Sequence, residues 1–143
     1  MFLGQFQYTL DSKARLTIPA RFRELSAPAL VVTRHPGETC LLAMPMARWI
    51  IYTEKLDSLP MVDEDSALLR RMLYSAAEDL RLDGQGRILL SQRLRDYAHI
   101  DAELMVVGNG THMEIWNPEA WAEIEHRFQD KEFNRKAFAA LRI

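Results

Sequence analysis

The chain repeats itself. "LDSKARLTI" at positions 10–18 returns as "LDGQGRILL" at 82–90, which pairs Asp11 with Asp83, Arg15 with Arg87, Leu16 with Ile88 and Ile18 with Leu90. The pairing runs on through Arg21 with Arg93 and Arg23 with Arg95. Further downstream "ALVVTR" (29–34) falls opposite "ELMVVG" (103–108), and "CLLAMPMARW" (40–49) opposite "MEIWNPEAW" (113–121). Self-similarity at a long fixed period means copies of one supersecondary unit. Neither copy is long enough to bury a comfortable core of its own, so the two are expected to share one. The expected architecture is α+β: two interlocked halves about a pseudo-two-fold axis, one β core and peripheral helices. The first half takes residues 1–60 and the second 80–143. A helix over 61–79 links them within one compact unit.

Local signals fill in the order of elements. "RLTIP" and "RILLS" are short apolar runs bounded by turn chemistry and suit strands. Pro19 and Ser91 stand where the short helices "PARFREL" and "SQRLRDYA" begin. "ALVVT" with "TCLLAM", and "ELMVV" with "HMEIW", read as hairpins across "HPGE" and "GNG". Asn117, Pro118 and Glu119 make a helix start, with Trp121, Ile124 and Phe128 at helical spacing behind them. Pro45 opens the equivalent helix of the first half. "DEDSALLRRMLYSAAED" (63–79) has acids in its first turn and apolar residues at 68, 69, 72 and 76, the pattern of an amphipathic helix. The tail, with Phe133, Ala137, Ala140 and Leu141, is a weaker helix that needs a neighbouring surface.

Composition narrows the function classes. Apolar residues at 48% and charged residues at 27% are ordinary for a soluble globular protein. No run approaches the roughly 20 apolar residues that span a bilayer. "MFLGQFQYTLDSK" has neither the basic start nor the apolar stretch of a secretory signal. Cys40 is the lone cysteine, which fits a reducing cytoplasm. His35, His99, His112 and His126 show no paired metal-ligand spacing with it, and no Gly-rich phosphate loop precedes a helix. Neither a metal nor a cofactor is expected. Charge is more telling in its distribution than in its total of −2. Residues 1–35 carry Lys13, Arg15, Arg21, Arg23 and Arg34 against Asp11 and Glu24, while the remainder carries 13 basic against 18 acidic groups. A basic segment on an acidic body focuses potential on one face, although solvated charges give the same count.

The duplicated D-x-x-x-R supports two readings. In the first, Asp accepts backbone N–H groups of a turn and pairs with Arg, so that the motif braces two corners of the fold. In the second, Asp aims Arg outward at phosphate or at a guanine edge, both of which match a guanidinium fork. Gly84 and Gly86 suit such a turn because glycine readily takes positive φ. Ala14 suits it poorly, so the two turns are expected to differ slightly. Lys13 adds a point charge at the tip of the first loop, where the second has Gln85. The first loop is therefore the better anionic-ligand site. Arg21 joins the candidates on charge alone, and Arg23 reads as a helix-surface residue. Catalysis by the symmetry-related Asp11 and Asp83 is disfavoured, since each has its own Arg to hold it ionised; no enzyme is expected.

"MFLGQFQYTLDSKARLTIPARFRE", the second "LDGQGRILLSQRLRDYA" and "HMEIWNPEAW" closely resemble the MraZ family, from Met1 to about Arg127. Each half resembles the AbrB/SpoVT swapped-hairpin module. The resemblance implies a tandem swapped-hairpin β-barrel and a transcriptional regulator, cytoplasmic and nucleoid-associated. Its implied partners are double-stranded DNA, at repeated sites in the promoter of the division and cell-wall gene cluster including its own gene, and further copies of itself in a ring-shaped homo-oligomer. Neither a membrane nor a small-molecule substrate is implied. The motif positions carried over are Asp11, Lys13 and Arg15, then Asp83 and Arg87, with Gly86 shaping the second turn. Arg15 is assigned to base readout, Lys13 and Arg21 to phosphates, and the aspartates to orientation. The alternative is an oligomeric scaffold for protein partners that does not bind DNA, with Trp49, Trp116 or Trp121 facing another subunit.

Overall fold

The computed structural model describes residues 1–143. The first half runs through β1 (Gln5–Thr9), β2 (Arg15–Thr17), α1 (Ala20–Ser26), β3 (Ala29–Arg34), β4 (Cys40–Pro45), α2 (Met46–Asp57) and α3 (Glu64–Ala76). The second repeats that order with β5 (Glu78–Arg81), β6 (Arg87–Leu89), α4 (Gln92–Tyr97), β7 (Glu103–Gly108), β8 (Met113–Trp116), α5 (Pro118–Arg127) and α6 (Lys131–Ala140).

The halves exchange strands. Six strands form one antiparallel sheet in the order β1-β7-β8-β4-β3-β5, so each half's first strand closes the edge of the other half's hairpin. The two hairpins meet at the centre through β4 and β8. The remaining strands, β2 and β6, pair only with each other, as a ribbon separate from the large sheet.

Period-two alternation decides what each face buries. Leu30, Val32, Leu41, Ala43, Leu104, Val106, Met113 and Ile115 face one way and join Leu16, Ile18, Ile88 and Leu90 from the ribbon segments. Phe22 of α1 and Leu94 of α4 complete this single cluster, to which both halves contribute. The helices α2, α3 and α5 pack on the sheet. There Cys40, Val107 and Trp116 meet Trp121 of α5. Thr33 donates a 2.8 Å hydrogen bond to the Leu73 carbonyl and fixes the end of α3 on β3.

The hairpins, the two short helices and the helices after Pro45 and Asn117 lie where the sequence places them. The linking helix does not. It occupies Glu64–Ala76, capped by the Asp63 side chain, and Ala77 is already extended. Glu78 and Asp79 belong to β5, because β3 offers an unpaired edge on which Leu80 lies opposite Leu30. Tertiary pairing overrides local helical preference there. β1 and β5 carry no apolar run, only the short polar stretches QFQYT and EDLR, so hydrophobicity does not announce them.

A shared core makes unfolding one event. Leu104→Ala, at a fully buried position, is expected to lower stability by about 2 to 5 kcal/mol. Urea unfolding should remain a single transition by both far-UV circular dichroism and tryptophan fluorescence.

Candidate nucleic-acid interface

Each D-x-x-x-R closes a turn through one carboxylate. Oδ1 of Asp11 accepts the backbone N–H groups of Lys13 and Arg15, both at 2.9 Å. Its Oδ2 accepts Nε–H of Arg15 at 2.6 Å. The second copy matches bond for bond: Oδ1 of Asp83 accepts from Gln85 and Arg87 at 2.9 Å, and Oδ2 from Arg87 Nε at 2.8 Å. Backbone bonds Ala14 N–H to Asp11 O and Gly86 N–H to Asp83 O tighten the two turns alike. The expected difference between them is absent. Ala14 takes φ 59° and Gly86 φ 73°, the same left-handed conformation, so the hydrogen bonds hold Ala14 where its Cβ is disfavoured.

Each turn is then tied to the other half. Ile18 N–H donates to the Gly86 carbonyl at 2.9 Å and Leu90 N–H to the Ala14 carbonyl at 3.0 Å. Beneath them Nε of Arg23 donates to Ile18 O and Nε of Arg95 to Leu90 O, each at 3.1 Å. A Cβ at Gly86 would overlap the Nε and Cδ of Arg23. Arg23 is thus a loop brace rather than a helix-surface residue, and Arg95 is its twin. Their matched places in the repeat were the signal, hidden because charge alone does not separate a brace from a solvated arginine.

The ribbon register sets Arg15 opposite Leu89, Leu16 opposite Ile88 and Thr17 opposite Arg87. Leu16 and Ile88 point into the core. Arg15, Thr17, Arg87 and the exposed Leu89 therefore share the outer face. Both motif arginines come together there, and Nη1 of Arg87 lies 3.8 Å from Oδ2 of Asp11, linking the two copies. Their side chains remain 32% and 24% exposed, with Lys13 and Gln85 exposed at the loop tips. Arg21 is not part of this cluster: it sits on α1 with its guanidinium 5.9 Å from the Phe6 ring centroid, and no hydrogen bond ties it to either loop.

The chemistry follows from what each guanidinium has left over. Nε is committed to Asp, whereas the Nη groups of Arg15 make no hydrogen bond within the chain. The backbone N–H of Arg15, then its side chain and the N–H of Lys13, hold Asp11 below the usual carboxylate range against an opposing effect of desolvation. The backbone N–H of Arg87 does the same for Asp83, helped by Gln85 and the Arg87 side chain. An anionic, fully engaged carboxylate orients its arginine and leaves the outer edge of the fork for an oxygen or a base edge. A two-stranded ribbon has the width that a DNA major groove admits. A cavity of about 500 Å³ among Trp116, Trp121, Phe128 and Phe133 lies away from both loops. Burial pushes the Cys40 thiol pKa upward, so Cys40 offers no reactive thiolate.

Two measurements check the turn. Gly86→Ala should lower stability by more than about 1 kcal/mol, since it adds left-handed strain and displaces Arg23. Ala14→Gly should raise it by roughly 0.5 kcal/mol, strain relief exceeding the added chain entropy. Thermal unfolding of both variants reads this asymmetry. Because the folded-state pKa values of both aspartates are depressed, their stabilisation is complete above the ordinary carboxylate pKa near 3.9 and is lost as pH falls through the lower folded values. Asp11→Asn with Asp83→Asn should flatten the dependence of the urea midpoint on pH below about 4.

The duplication seen in the residues recurs in comparison with known proteins. The family model described as "MraZ protein, putative antitoxin-like" matches residues 1–72 and again 73–142. A protein from Thermomicrobium roseum is 46% identical, with 85% of each chain covered. One from Moorella thermoacetica is 44% identical over 86% of this chain and 85% of its own. Another, from Roseiflexus castenholzii, is 41% identical over 87% and 86% respectively. Each of the three is named transcriptional regulator MraZ. With both of its halves matched, this chain belongs to the MraZ family.

Proposed function

We propose that the chain is a sequence-specific, double-stranded-DNA-binding transcriptional regulator. It acts on repeated sites in the promoter of the division and cell-wall gene cluster, its own gene included, as a ring-shaped homo-oligomer in the cytoplasm and nucleoid. The observation that carries this reading is the outer face of the β2–β6 ribbon, where two Asp-held arginines lie side by side between two exposed loop tips. The name shared by its relatives points to the same role. The exchange of β1, β2, β5 and β6 between halves supports reading each half as an AbrB/SpoVT-like swapped hairpin and the whole as a tandem barrel. No helix is long and apolar enough to cross a membrane.

In this mechanism the ribbon enters the major groove. Arg15 presents its free Nη edge to guanine O6 and N7, Arg87 reaches the groove with the donors left over from its 3.8 Å contact with Asp11, and Lys13 meets a phosphate and sets register. Arg21, displaced from the ribbon onto α1, is left a phosphate contact at the margin. Asp11 and Asp83 never touch DNA; they fix the arginines beforehand, which lowers the entropy lost on binding. A ring repeats the ribbon, so neighbouring subunits engage successive sites and gain avidity without new kinds of contact. The scaffold alternative has less to stand on, because Trp116 and Trp121 are buried against each other and Trp49 stacks on Tyr52.

The test is a titration against duplex DNA from upstream of the chain's own gene, with a scrambled duplex as control. Arg15→Ala and Arg87→Ala should each weaken specific binding about 5- to 150-fold per contacted base pair and narrow the gap to the control. Lys13→Ala should weaken both duplexes alike and reduce the slope of log affinity against log salt by about 1. Unchanged promoter affinity in Arg15→Ala at moderate salt would remove Arg15 from the interface.

A further inference from the structure

α6 is held to its own chain only at its first turn, where Asn134 Nδ2 donates to Phe128 O at 2.6 Å and Phe133 lines the cavity beside Trp121 and Phe128. None of its residues is buried, and Phe138 and, just past it, Leu141 are 61% and 63% exposed. Its counterpart in the first half, α3, is held down: Leu73 and Ala76 are buried and Thr33 bonds the Leu73 carbonyl. A helix of ten residues is marginal in water, so the part of α6 beyond that turn, with Phe138 and Leu141, calls for a covering surface.

The chain presents a second apolar site at the turn between α2 and α3, where Met61 and Val62 are 79% and 95% exposed. The two sites are framed by opposite charge. Residues 131–143 carry Lys131, Arg135, Lys136 and Arg142 against Glu132. Residues 54–65 carry Glu54, Asp57, Asp63, Glu64 and Asp65 against Lys55. Arg71 beside Met61 reduces that acidity only in part, and Arg70 is already engaged 3.5 Å from Asp57. Each site is apolar at its centre and charged at its rim, the anatomy of an association surface. Both lie on every copy, and they are different patches.

We infer that α6 of one copy docks through Phe138 and Leu141 onto the Met61–Val62 turn of a second copy, joining the two head to tail. Unlike patches make a heterologous joint, which propagates until rotation closes it into a ring. The inference rests on the ring reading given above and names the surfaces that would close it. The DNA-facing ribbon takes no part in the joint.

Mass in solution tests this directly. The wild-type chain is compared with Phe138→Asp and Val62→Asp by light scattering after size exclusion, at micromolar concentration. Each variant should fall to the mass of a single chain. Mixed together they should form a heterodimer and nothing larger, since one intact joint remains between the acidic turn of the first and the α6 of the second. Full assembly of both variants beside an assembled wild type overturns the inference and leaves the ring reading standing. A wild-type chain at single-chain mass overturns the ring reading, and the inference with it. Should either aspartate variant fail to fold, Val62→Cys combined with Phe138→Cys replaces it, Cys40 being buried. Mild oxidation should then give a ladder of covalent multimers longer than dimers; products no longer than those of the single-cysteine variants overturn the docking.

Discussion

One carboxylate organises each end of the ribbon. Asp11 gathers two backbone N–H groups and a guanidinium on its two oxygens, and Asp83 repeats this. Remove that carboxylate and the turn loses the acceptor for its N–H groups, the arginine loses its direction, and the carbonyls of Ala14 and Gly86 lose the position from which they accept the opposite half's strand. Of the two readings that the sequence leaves open, bracing is what these bonds show, and the proposed function adds aiming to the same arrangement. The same Oδ2 that steadies the corner holds the arginine through Nε and leaves the Nη groups of Arg15 without a hydrogen bond in the chain.

The strand exchange explains why the copies cannot drift apart. In a tandem array of separate units, each half would bury its own hairpin and the linker would tolerate movement. Here β1 and β5 each complete the other half's sheet, and Leu16 packs opposite Ile88 across the ribbon. The relative placement of Arg15 and Arg87 is therefore set by core packing rather than by loop flexibility. In the proposed mode of binding, such rigid spacing between two arginines is what a groove with fixed base-pair steps requires.

Much of this was legible in the residues because duplication supplies an internal control. A motif that returns at constant offset with its apolar neighbours identifies the turn, the strand and the short helix behind it. What stayed hidden depended on partners distant in sequence. QFQYT and EDLR become strands only because hairpins from the opposite half present open edges. For the same reason the helix expected to reach residue 79 yields at Ala76. Arg23 and Arg95 carry the same charge as any exposed arginine, and only the fold places them under the loops. Ala14 misleads in the other direction: its side chain argues against a left-handed turn, yet three hydrogen bonds converging on Asp11 override a penalty of about 1 to 2 kcal/mol.

Magnitudes explain why assembly belongs to the proposed function. Two guanidinium forks, each discriminating by about 1 to 3 kcal/mol, and one lysine on phosphate make a short list of contacts for a single protomer. Specific complexes with DNA generally exceed nonspecific ones by about 4 to 10 kcal/mol, so one ribbon at one site sits at the bottom of that range. Enlarging the ribbon is not open to this fold, because β2 and β6 are three residues long, bounded on one side by the Asp-closed loops and on the other by the buried Ile18 and Leu90 that lead into α1 and α4. Repetition is the remaining route: linked sites multiply effective concentration where subunit spacing matches site spacing, and give nothing where it does not. On this view selectivity resides as much in the distance between DNA repeats as in their bases. A promoter with correct bases at altered spacing should be read by single ribbons alone.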